Sequence, residues 1–133
     1  MDENQVTDAI IGSAIEVHRI LGPGLLESIY EECLVVELTL RSFRSERQVP
    51  IPLSYKGRRV GGDLKIDLIV EDHIVVELKA VEKLLPVHQA QLLTYLRLTN
   101  KPLGLLINFN VPLLKDGIRR LITRPLCASV SLW

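Results

Sequence analysis

The sequence predicts a mixed α/β domain with helices covering a sheet, in the order α, α, β, β, β, α, β. Three observations carry that expectation. Two leading segments have apolar residues at helical spacing, the pattern turns strand-like near Arg47, and a proline-led helical stripe separates the strands from a final buried apolar run. A chain of 133 residues suits one hydrophobic core, so a single domain over 1–133 is expected.

Val6, Ile10, Ala14, Val17 and Leu21 repeat at three- and four-residue steps and predict a helix over 5–21, stopped by Gly22-Pro23-Gly24. The stripe Leu26, Ile29, Tyr30, Cys33, Leu34, Leu38 predicts a second helix over 25–41. Gln48–Tyr55 is β-rich but holds Pro50 and Pro52, which cannot donate ladder hydrogen bonds, so this strand belongs at an edge. Leu64–Val70 and Ile74–Ala80 flank Glu71-Asp72-His73 and read as a β-hairpin. Pro86 suits a first helical turn, and the helix it opens runs to about Thr99 before Asn100 and Pro102. Leu103–Phe109 is a buried strand, Leu114–Leu121 a short helix, and Leu126–Leu132 a weak last strand.

Composition excludes several classes. At 47% hydrophobic and 24% charged, the chain is not a disordered one. No apolar run reaches the roughly 18 residues that cross a bilayer, and Asp2, Glu3 and Asp8 stand where a secretory signal would be basic, so a cytoplasmic protein with no membrane partner is expected. Cys33 and Cys127 lack metal-site spacing and form no disulfide framework. Sixteen basic residues balance sixteen acidic ones, which argues against a globally basic nucleic-acid binder. The charges are nevertheless segregated. Residues 1–40 hold eight acids against Arg19 alone, whereas 41–60 hold six bases against Glu46. That basic strip could face a polyanion or could be an ordinary solvated surface.

The strand Ile74–Ala80 is apolar on both faces except for Glu77 and Lys79, which share one face. Burying an unpaired charge costs several kcal/mol or more, so two of them in such a strand call for a reason. Asp67 interrupts the equally apolar Ile66–Val70. A three-residue loop at 71–73 pairs Val70 with Ile74 and sets Asp67 across from Glu77, about 5 Å apart at Cβ; a two-residue loop would send the carboxylates to opposite faces. Two adjacent carboxylates repel unless a cation sits between them, and one or two carboxylates with waters and substrate phosphates make the usual Mg²⁺ environment. A salt-bridged trio on a wet face is the alternative, and the apolar neighbours weigh against it.

Further residues point to a family. Gly24-Leu25-Leu26-Glu27-Ser28-Ile29-Tyr30 matches a G-x-x-E-x-x-Y signature; the Asp67 strand, Val76-Glu77-Leu78-Lys79-Ala80, His88 with Gln91 and Tyr95, Gly104–Phe109 and Gly117–Arg120 follow in order and spacing. Over about 8–122 the chain resembles the GxxExxY protein family, a branch of the PD-(D/E)XK nuclease superfamily, with 123–133 unassigned. The resemblance implies an αβββαβ core behind an extra N-terminal helix. It also implies a nuclease acting on DNA more readily than RNA, with Mg²⁺ or Mn²⁺ held by Asp67, Glu77, the Leu78 carbonyl and Glu27. Lys79 would position or activate the attacking water, and Gln91 and Tyr95 would complete the catalytic set. The competing reading is an inactive nucleic-acid-binding or assembly module with the same fold, and small size with segregated charge suggests a homodimer or higher homo-oligomer. Gly22-Pro23-Gly24 lacks the lysine of a phosphate cradle. His18, His73 and His88 lack metal-ligand spacing, although His88 shares a helix face with Gln91.

Overall fold

The computed structural model describes residues 1–123. The expected strand at 126–132, Cys127 and Trp133 lie outside the described residues. Helix α1 (Glu3–Leu21) starts at Asp2, whose carboxylate accepts from the Gln5 backbone N–H while the Gln5 side chain accepts from that of Asp2. Helix α2 (Glu27–Leu40) follows the glycine turn. Five strands form one sheet: β1 (Ser45–Pro50), β4 (Lys65–Val70), β5 (Ile74–Lys79), β6 (Leu103–Asn108) and β7 (Ile118–Ile122), in that spatial order. All neighbours are antiparallel except β5 and β6, which are parallel and joined through α3 (Pro86–Thr99).

The sheet carries a core on each face. Val6, Ile10, Ala14 and Val17 of α1 and Tyr30, Leu34 and Leu38 of α2 pack on Leu68, Val76, Leu78, Leu105 and Ile107. On the other face Leu92, Tyr95 and Leu96 of α3 pack on Ile69, Val75 and Leu106. Both faces are covered, which is why the inner strands read as continuous apolar runs.

Two expectations need correction. The single strand over 48–55 is two: β1 ends at Pro50, and β2 (Leu53–Tyr55) pairs instead with β3 (Arg58–Val60) as a separate two-stranded ribbon. The proline pair explains the break, since neither ring can extend a ladder. The expected helix over 114–121 is one 3₁₀ turn, Leu114–Gly117, followed by β7, so Arg119 and Arg120 lie on an edge strand. The 3₁₀ turn is tight enough that a Cβ on Gly117 would overlap the Asn108 carbonyl oxygen.

The glycine turn is fastened by Tyr30. Its hydroxyl donates to the Gly22 carbonyl oxygen (2.6 Å) and accepts from the Leu25 N–H (3.1 Å), while its ring stacks on Phe109 at 4.4 Å. Gly22 and Gly24 sit at φ 71° and 101°, where a side chain would be strained. The G and Y of the signature are therefore explained by packing. Tyr30→Phe is expected to lower unfolding stability by about 0.5–1.5 kcal/mol in chemical denaturation, because the part-buried hydrogen bonds to Gly22 and Leu25 are lost.

Candidate active site

The β4–β5 hairpin closes through Glu71 and Asp72, both left-handed (φ 53° and 54°), with the His73 N–H donating to Val70 O (3.0 Å). The ladder then runs Val70↔Ile74, Ile69↔Val75 and Leu68↔Val76. This is the three-residue loop, and it carries Asp67 and Glu77 to the next opposed position. There the backbone ladder stops. In its place the Asp67 N–H donates to Glu77 Oε1 (3.0 Å) and the Leu78 N–H donates to Asp67 Oδ2 (2.8 Å). Each carboxylate thus satisfies a main-chain group of the other strand where the two strands part.

Glu77 is 4% exposed. Burial first, and then the neighbouring Asp67 charge, push its carboxyl up from an ordinary 4.5 to about 8, against smaller opposing effects of the Asp67 N–H and Lys79. Near neutral pH Glu77 is therefore biased toward its protonated form, and a divalent cation would displace that proton. Two carboxylates crowded together in this way are a donor set that fits Mg²⁺ or Mn²⁺. Among the described residues no group of three or more His, Cys, Asp or Glu side chains is gathered, so the protein would supply two carboxylates and leave the remaining positions to main chain and water.

The same shift has a thermodynamic consequence. Because folding raises this pKa, the folded protein keeps a proton that the unfolded chain releases above 4.5. This contribution is greatest below 4.5 and is lost as pH rises through about 8, with a slope of at most about 1.4 kcal/mol per pH unit. Urea unfolding of metal-free protein is expected to show lower stability at pH 8 than at pH 5, and Glu77→Gln to flatten that fall.

Lys79 is half-buried at the end of β5, and its Nζ donates to Gln91 Oε1 (3.2 Å). Gln91 Nε2 in turn donates to Tyr95 Oη (3.0 Å). One turn apart on α3, these two side chains form a brace behind the lysine. Burial, followed by the Glu77 charge, raises the Tyr95 pKa and keeps its hydroxyl neutral. Asp67, Glu77, Lys79, Gln91 and Tyr95 are therefore brought together. Glu27 is not: it is exposed on the first turn of α2 with no hydrogen bond to that set among the described residues. His88 caps α3 by accepting from the Leu85 N–H (2.9 Å), and His18 donates to Val111 O (2.8 Å).

The structure adds residues that the sequence reading passed over. Glu31, 5% exposed, pairs with Arg47 (2.9 Å) and accepts from Gln48 Nε2 (2.7 Å), which also reaches Asp67 Oδ1 (3.5 Å). Neighbouring strand side chains normally point to opposite faces. Gln48 has φ 50°, and this left-handed residue lets both it and Arg47 converge on one carboxylate. The signal available was Glu31 itself, an acid inside the apolar stripe between Tyr30 and Leu34. Asn108, 1% exposed, accepts from the Val81 N–H and donates to the Val81 carbonyl, fixing the chain just beyond Lys79.

A family model of the PD-(D/E)XK nuclease superfamily matches residues 4–121, nearly the whole described chain. The chain belongs to the PD-(D/E)XK nuclease superfamily. The acid pair on two splayed strands with a lysine two residues beyond the second acid stands in the mixed, helix-flanked sheet of a PD-(D/E)XK domain. No curated protein and no solved structure gives a match. Nucleases of the superfamily generally use divalent metal ions and act on nucleic acid, and no helix among the described residues of this PD-(D/E)XK domain is long and apolar enough to cross a membrane.

Proposed function

We propose that this protein is a Mg²⁺- or Mn²⁺-dependent nuclease that hydrolyses phosphodiester bonds of DNA. The observation that carries the reading is the convergence of Asp67 and Glu77 with Lys79, whose ammonium is braced by Gln91. Asp67, Glu77 and the Leu78 carbonyl would hold the ion. When bound, it would supply Lewis-acid neutralisation of phosphoryl charge and acidify water. Lys79 would hold the attacking water by hydrogen bonding and offset negative charge that grows on the phosphate. Gln91 has its carbonyl on Lys79 and its amide on Tyr95, so both act as positioning residues that fix where the ammonium stands. Glu27 remains a candidate ligand through the family resemblance alone. Glu31, one turn further on, is the acid of α2 that reaches Asp67 through Gln48, and it would hold the aspartate's orientation.

The test is incubation of the purified protein with single-stranded, duplex and hairpin DNA and with the matching RNAs, in Mg²⁺, in Mn²⁺ and in EDTA. Cleavage of DNA with either metal and none in EDTA is expected. Intact substrates under every condition would favour a binding module that keeps the fold without the chemistry.

A further inference from the structure

The ribbon of β2 and β3 has no part in either core of the sheet. A two-stranded hairpin is marginal in water by itself, yet this one exposes almost every side chain, including Tyr55 (64% exposed), Lys56, Arg58, Arg59 and Val60. Its turn, Lys56-Gly57, is left-handed at both residues (φ 51° and 79°), the geometry of a tight hairpin tip. Tyr55 and Arg58 are paired opposite each other and so share a face, and Lys56 Nζ stands 5.4 Å from the Tyr55 ring centre. Three cations and an exposed ring, with no acid from 53 to 60, lie on an element that contributes little to the fold.

Its position matters. The chain leaves the sheet after Pro50, which is paired with Lys65, and the Ile51 N–H donates to Leu64 O where the chain returns. The ribbon thus emerges at the end of the sheet where β4 begins, two residues before Asp67. Val60 lies seven residues from Asp67, so at most about 24 Å of extended chain separates them.

We propose that the β2–β3 ribbon is a grip for single-stranded DNA, with Lys56 and Arg58 on phosphates and Tyr55 stacked on an unpaired base, all on the face opposite to that of Ser54 and Arg59. The proposal rests on the nuclease reading for its ligand. Cations interleaved with an aromatic ring are the combination that holds single strands without reading sequence. A ring projecting from a ribbon needs an unstacked base, which a duplex does not offer. None of these contacts calls on a ribose 2′-hydroxyl, so DNA suffices.

The experiment is fluorescence anisotropy with labelled single-stranded DNA, duplex DNA and the matching single-stranded RNA across a salt series, in EDTA so that cleavage plays no part. The double variant K56Q/R58Q is expected to weaken single-strand binding at least fivefold and to flatten the salt slope by about 1.4, at roughly 0.7 for each phosphate no longer neutralised. Tyr55→Ala is expected to weaken it roughly fivefold to a hundredfold while leaving duplex binding unchanged. An unchanged slope in the double variant, equal loss on duplex with Tyr55→Ala, or tighter binding of the RNA would overturn the assignment. Binding that depends on the ribbon in a protein that cleaves nothing would uphold the grip and remove the nuclease reading; cleavage with ribbon variants that bind as wild type would do the reverse.

Discussion

Lys79→Ala is expected to slow single-turnover DNA cleavage by about 10²–10³, the usual cost of removing one preorganised donor to developing negative charge, while the protein still responds to Mg²⁺. The reason lies in the charges. Lys79 lowers the Glu77 pKa and so favours its ionised form, but its own positive charge also opposes a cation at the same carboxylates. Removing it takes away the ammonium that the proposed mechanism uses on the phosphate and leaves both acids in place. Gln91 then loses its partner at 3.2 Å, a half-buried bond whose loss costs about 0.5–1.5 kcal/mol, too little to unfold the domain. A variant that cleaves at the wild-type rate would show that Lys79 is a structural ion and nothing more.

Asp67→Asn is expected to abolish both cleavage and the metal-dependent rise in melting temperature. In the wild type, a ligand at a hundredfold excess over Kd stabilises the folded state by about 2.7 kcal/mol, or roughly 10 °C for a domain of this size. The asparagine carbonyl can still accept from the Leu78 N–H, so the strand contact survives while the charge is gone. Glu77, relieved of its like-charged neighbour, titrates closer to the ordinary carboxylate range. Differential scanning fluorimetry with Mg²⁺, Mn²⁺ and EDTA separates the effects: the metal shift should vanish in the variant, whereas an undiminished shift would place the ion elsewhere.

Much of the fold was legible because the strongest signals are periodic. The stripes of α1 and α2 and the runs of β4, β5 and β6 gave elements whose ends agree with the structure to within two residues. The loop length at 71–73 decided the register and with it the meeting of Asp67 and Glu77. What escaped is what periodicity does not encode. Gln48 adopts a left-handed backbone inside a strand, and nothing in a glutamine announces it. Glu31 was hidden by the more conspicuous Glu27 one turn earlier, since a motif letter draws attention from the residue that the packing buries. The 3₁₀ turn at Leu114–Gly117 is masked because Leu114, Ile118 and Leu121 keep helical spacing even though the last two lie on a strand.

The two carboxylates take the place of main-chain bonds where β4 and β5 separate. Architecture and chemistry consequently draw on the same atoms. A descendant that had lost the reaction would still need an acceptor at both positions, supplied by the acids or by their amides, so a residue of either kind kept there would testify to the masonry as much as to the trade. The lysine owes the seam nothing, and it is the residue whose disappearance would mark a retired enzyme.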